Sequence, residues 1–155
     1  METVLPPKPV AQSRVVMSLL TTVDAANIHG TVHGGWIVSQ VDQAAYVCAV
    51  RHAGHQAVTV SIDRVDFRSP VLIGDLVTLR AAVHFVGRTS MVIGVTVEAE
   101  DLLSGVIRHT NTCLLTFVAI DERSHPLPVP GLVRETPEEE ARWEAVAARR
   151  AGEKG

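Results

Sequence analysis

Two glycines and a carboxylate share one stretch of otherwise apolar character, NIHGTVHGGWIVSQVDQAAYVC, residues 27–48. Gly34-Gly35 stands where a helical pattern begins, and Asp42 falls inside its apolar run. The first turn of a helix carries backbone N–H groups without partners and the positive end of the dipole. Glycine there lets another group approach those donors, so the helix start at Gly34-Gly35 could receive an anion or a developing oxyanion. Asp42 follows Gly35 by seven residues, nearly two turns, and so lies on much the same face. Its helical neighbours Val38, Ser39, Ala45 and Tyr46 include no cation, so a local ion pair does not account for it. Donors at a helix mouth and a carboxylate along the same face describe a hydrolytic site. Two plainer readings stand beside it: the glycines permit a tight turn, and Asp42 faces water beside Gln43.

The helix expected to carry these groups spans roughly residues 34 to 52. Ile37, Val41, Ala44 and Cys48 recur at helical spacing as a core-facing stripe, and Gly54 is placed to cap the end. Before it, RVVMSLL (residues 14–20) is a short β-prone run and TTVDAANIHG is turn-forming. After it the period becomes that of strands. AVTVSIDRVDF alternates Val58, Val60 and Ile62 against Thr59, Ser61 and Asp63, and LVTLRAAVHFV, MVIGVTVEAE and VIRHTNTCLLTFVAID follow. One long helix followed by strands with no helices between them predicts an antiparallel sheet with a helix packed on it, an α+β arrangement. SHPLPVPGLV carries three prolines and reads as a linker. TPEEEARWEAVAARR reads as a surface helix, docked loosely or on another subunit, with Thr136 as cap, Pro137 at its first position and Glu139 completing a capping box.

Composition narrows the function classes. The chain has 155 residues, 46% hydrophobic, with a formal net charge of −3, so its overall field invites neither nucleic acid nor an anionic membrane. Cys48 and Cys113 sit in apolar runs and read as reduced core thiols compatible with the cytoplasm. No metal-ligand spacing and no phosphate-loop fingerprint is present. The first twelve residues, METVLPPKPVAQ, lack a signal-type apolar core and read as an extended tail. No apolar run reaches the length of about 18 residues that spans a bilayer.

Four segments taken in order resemble the acyl-CoA thioester hydrolase family of hotdog-fold enzymes: NIHGTVHGGWIVSQVDQAAYVCAVRH, VTVSIDRVDFRSPVLIGD, GRTSMVI and LPVPGLVRETPEEEARWE. The resemblance implies a long central helix wrapped by five or six antiparallel strands, here over residues 13–121. A Pro-rich linker (122–135) and a C-terminal helix with its tail (136–155) complete the expected layout. It implies hydrolysis of acyl-CoA to acid and coenzyme A, with no cofactor beyond the coenzyme A of the substrate. It also implies pairing of domains edge to edge into a homo-oligomer, a trimer of dimers in many members. In the family a helix acid, matched by Asp42, works as general base or nucleophile with a polar residue of the loop before HGG in the partner domain. That loop position, Asn or Asp in many members, falls on Thr31 here, so Asn27 or His33 would share the load. The resemblance further implies Trp36 beside the substrate and the GRTS turn, with Arg88, Thr89 and Ser90, near the nucleotide of coenzyme A. An ordinary charged turn is the competing reading for GRTS, and Arg51, His52, Arg64 and Arg68 are further basic candidates. Because threonine cannot serve as a base at neutral pH, an acyl-CoA-binding module without turnover is the alternative function.

Overall fold

A computed structural model describes residues 5–153. Chain order is β1 (Lys8–Pro9), α1 (Val10–Ser13), β2 (Val15–Leu20), α2 (Gly34–Ala53), β3 (Gln56–Ile62), β4 (Leu76–Val86), β5 (Ser90–Glu100), β6 (Ile107–Ile120), β7 (Leu132–Val133) and α3 (Pro137–Glu153). Five antiparallel strands form one sheet in the order β2-β4-β5-β6-β3, and α2 lies along its inner face. The expected stripe of α2 is buried against that face, with Val41 and Ile37 at most 2% exposed and Ala44 and Cys48 at 0%. Opposite them stand Leu79, Ile93, Val95, Leu115 and Phe117, each 0% exposed. Alanines 44, 45, 49 and 53 let the helix approach the sheet closely, and Gly54 ends it in the left-handed conformation with φ 73°. No helix among the described residues is long and apolar enough to cross a membrane.

Expectations change at several elements. The tail expected over residues 1–12 is not simply extended where it is described: Val10–Ser13 makes a helical turn and Val10 is 1% exposed. Its first residues, 1–4, lie outside the described part. The Pro-rich segment 122–135 is likewise more than a linker, because Leu132–Val133 pairs in parallel with Lys8–Pro9 and buries Val129 and Leu132. The alternation read in β3 also fails. A bulge at Val60 breaks the register with β6, and β3 is an edge strand, so Val58 and Val60 are 44% and 60% exposed.

The C-terminal helix docks on its own chain. Trp143 packs on Phe85 of β4 with centroids 4.3 Å apart, and Arg134 lies over the indole at 4.0 Å. Val146 is 3% exposed and Arg149 pairs with Asp63. Thr136 caps as expected through Glu139 N–H (3.2 Å), but the Glu139 carboxylate accepts from Glu135 N–H at 3.3 Å instead of closing the box on Thr136. Residues 154–155 of the expected tail lie outside the described part.

Candidate active site

Asp42 sits in the first half of α2, half-buried, and no ion pair reaches it among the described residues. Its Oδ1 accepts a hydrogen bond from the Thr59 hydroxyl at 2.7 Å, while Oδ2 has no partner among the described residues. Thr59 is directed there by the pleat: it shares a rung with Phe117 and Met91, both 0% exposed on the face that receives α2. The bulge immediately after it turns the following residues away. Sequence reading placed Thr59 on the polar side of its strand and missed this contact. The only signal was a hydroxyl in an apolar strand that returns beside the helix.

The loop before α2 is tied by Asn27. Its Oδ1 accepts from His29 N–H (2.8 Å) and Thr31 N–H (3.2 Å), and its Nδ2 donates to Thr31 Oγ1 at 2.8 Å. Backbone bonds between Asn27 and Thr31 (2.8 Å) and from His33 N–H to Ala25 O (2.6 Å) close the hairpin. Gly30 turns it at φ 81°. Thr31 Oγ1 thereby acts as acceptor toward Asn27 and keeps its own proton to donate.

At the helix mouth the donors are fewer than the sequence suggested. His33 is the N-cap, and its Nδ1 accepts from Gly35 N–H at 2.9 Å. Trp36 N–H is taken by His33 O at 3.0 Å. Gly34 N–H alone of the three has no partner among the described residues. A Cβ at Gly35 would stand 3.0 Å from the His33 ring, so Gly35 makes room for the cap. Gly34 instead faces the Phe67 ring, 3.5 Å from where its Cβ would be. Trp36 is half-buried against the core.

Other candidates are dispersed. Ser90 shares a rung with Val118 and Val58 on the face opposite Thr59, and its Oγ receives Arg150 of α3 at 3.4 Å. Arg88 is exposed, and the backbone oxygens of Arg88 and Thr89 accept from Val129 (2.9 Å) and Ala119 (3.1 Å). The GRTS turn is therefore not joined to Asp42 within one chain. Arg51 and His52 are structural: Arg51 donates to Arg14 O at 2.7 Å, and buried His52 meets Pro130 O at 2.8 Å. Arg64 pairs with Asp66 at 2.8 Å, while Arg68 is exposed on the loop after β3. Burial pushes the Cys48 and Cys113 thiols up to about 11, so neither is a ready nucleophile. Among the described residues no group of three or more His, Cys, Asp or Glu is placed to hold a metal ion.

The sequence profile of the thioesterase superfamily matches residues 29–106, from the loop before α2 past the end of β5. The chain belongs to the thioesterase superfamily. This thioesterase is 39% identical over 143 residues to an uncharacterized acyl-CoA thioester hydrolase of Bacillus subtilis, covering 92% of this chain and 83% of that one. A hexameric acyl-CoA thioesterase, solved without ligand, superposes at TM-score 0.92 with 37% identity, covering 97% of this chain and 96% of that one. An acyl-CoA hydrolase from Staphylococcus aureus, solved with butyryl coenzyme A, coenzyme A and coenzyme A disulfide, gives TM-score 0.87 at 31% identity, covering 96% and 91%. That hydrolase has also been solved with one aspartate, one asparagine or one threonine changed to alanine. The thioesterase described here thus has the α+β hotdog fold, a central helix wrapped by an antiparallel sheet, with α3 added.

Proposed function

We propose that this thioesterase hydrolyses acyl-CoA to a free carboxylic acid and coenzyme A, with Asp42 as the reacting carboxylate. The observation that carries the reading is a half-buried aspartate with one oxygen held by Thr59 and, among the described residues, no partner for the other oxygen and no cation in contact. As general base, Asp42 Oδ2 takes a proton from water, whose oxygen adds to the thioester carbonyl. The adduct collapses by breaking the C–S bond, and the thiolate regains a proton. As nucleophile, the same oxygen displaces the thiolate and forms an anhydride, which water then cleaves. Gly34 N–H is the donor left for the oxyanion, a type of contact commonly worth about 2.7–4 kcal/mol.

Spacing supports this site. The asparagine, aspartate and threonine exchanged in the S. aureus hydrolase lie fifteen and seventeen residues apart in that chain, and Asn27, Asp42 and Thr59 have the same intervals. In this reading Asn27 is the loop amide of the site and Thr31 braces it, so Thr31 does not stand in for a missing asparagine. His33 and Gly35 serve as cap and clearance. The reaction draws on no group beyond the coenzyme A of its substrate, and a cytoplasmic setting suits the two free, buried thiols.

The edges of the sheet favour an oligomer. β3 exposes Val58 and Val60 beside an unpaired backbone edge, and a hexameric thioesterase is among the structural neighbours. Assembly through this edge would bring a second copy's Asn27 loop toward Asp42. Sedimentation of the full chain as a monomer at assay concentration would remove the shared site. The activity itself is tested by thiol release from butyryl-CoA with wild type and Asp42→Ala. Loss of at least about a hundredfold in kcat is expected for the variant. Equal rates would defeat the role of Asp42, and binding without turnover by wild type would identify a binding module.

A further inference from the structure

The loop that follows β3 brings a phenylalanine onto the mouth of α2. Residues 63–69 leave the strand but stay tied to β6, where Asp63 N–H donates to Leu114 O at 2.8 Å and Arg68 N–H to Thr110 O at 2.9 Å. Arg149 of α3 pairs with the Asp63 carboxylate, and Val65 packs on the core. Phe67 therefore stands one residue before a fixed point of the backbone. Its ring lies 3.5 Å from the position that a Cβ on Gly34 would take, yet the residue is 46% exposed, so part of the ring is free to meet a ligand.

We propose that Phe67 selects the acyl group by shape: it admits a chain whose α-carbon is unbranched and rejects one whose α-carbon is fully substituted. The inference rests on the reading of Gly34 N–H as the donor to the thioester oxygen. Gly34 and Asp42 are eight residues apart, about 12 Å along α2, so the Asp42 that meets a thioester held at Gly34 comes from a second copy. Gly34 and Phe67 belong to the same copy and act together.

Direction supplies the argument. In the first turn of a helix the N–H points out of the helix end, and the Cα–Cβ bond also tilts toward the N-terminus. A ring that meets the place of a Gly34 Cβ therefore flanks the line along which Gly34 N–H donates. A thioester oxygen bound there lies about 2.9 Å from the nitrogen, and the α-carbon is two bonds from that oxygen, within contact reach of the ring. Of the two limbs of the thioester, the hydrocarbon limb gains from an apolar wall, whereas the coenzyme A limb carries amides that keep better company with water or polar groups. An extended chain passes along the ring with only hydrogens turned toward it. A fully substituted α-carbon directs a methyl group at the ring in every rotamer, and the backbone bonds on either side of the loop limit how far Phe67 can retreat.

The test compares two isomeric ligands, valeryl-CoA and pivaloyl-CoA, in two readouts. Calorimetry with Asp42→Asn and with Asp42→Asn/Phe67→Ala measures affinity without turnover, and thiol release by wild type and Phe67→Ala measures kcat/KM. Asp42→Asn should favour valeryl-CoA, and Phe67→Ala should reduce that preference at least about tenfold in both readouts. Phe67→Leu, smaller than phenylalanine and still apolar, should reduce it at least about threefold, which keeps the test decisive where the alanine variant does not fold. Equal affinity of Asp42→Asn for the two isomers overturns the proposal, and so does a preference that neither substitution alters. A preference that changes only where sedimentation shows the variant oligomer to have dissociated also overturns it, because the ring would then be a contact between copies. Wild type that turns over neither isomer, with the affinity ratio still shifted by Phe67→Ala, would remove the proposed hydrolysis and leave the acyl selection standing.

Discussion

Replacing Thr59 by valine removes one hydroxyl and keeps the volume of the side chain. That hydroxyl donates to Asp42 Oδ1 at 2.7 Å, and in this structure it is the one side-chain partner of Asp42 among the described residues. Hydrogen bonds to charged groups contribute about 1.5–3 kcal/mol, so losing one that holds the carboxylate proposed to react should lower kcat by roughly 10- to 150-fold. Stability should change little, within about 0.5 kcal/mol, because Thr59 lies on an exposed edge strand and valine favours strands. Thiol release from butyryl-CoA measures the first quantity, and urea unfolding the second. A double-mutant cycle with Asp42→Asn then separates orientation from independent action. If Thr59 acts only through Asp42, the double variant should be no slower than Asp42→Asn alone. Wild-type kcat in Thr59→Val, or losses that multiply in the double variant, would refute the reasoning.

Two further outcomes follow from side chains around the site and sheet. His33→Ala removes the acceptor of Gly35 N–H and should cost about 1 kcal/mol of stability in chemical denaturation while leaving kcat within about threefold. A much larger fall in kcat would return His33 to the chemistry. His84 has its pKa lowered from 6.5 to about 4 by burial and then by Arg142, so the neutral ring is favoured in the folded chain. That stability is complete above pH 6.5 and is lost as pH falls toward about 4, amounting to about 3 kcal/mol at roughly 1.4 kcal/mol per pH unit. Unfolding free energies measured between pH 7 and 4 should fall less steeply in His84→Gln, and identical slopes would contradict this linkage.

The sequence alone carried the helix, its buried stripe, its Gly54 cap, the succession of long strands and the isolated carboxylate. Each of these rests on spacing within a few residues, where the 3.6 and 2 periodicities act directly. Asp42 stood out for the same reason: local neighbours were enough to show that no cation answered it. What the sequence lacked was the other end of each long-range contact. Thr59 reaches Asp42 because β3 returns beside α2 with Thr59 opposite Phe117, which is a property of the sheet register. Gly34 and Gly35 looked interchangeable as backbone clearance. Tertiary packing gives one to Phe67 and the other to the His33 ring, and so removes Gly35 N–H from the available donors. Periodicity sets which side of an element is apolar, but which residues face one another across elements is decided only when the sheet closes around its helix.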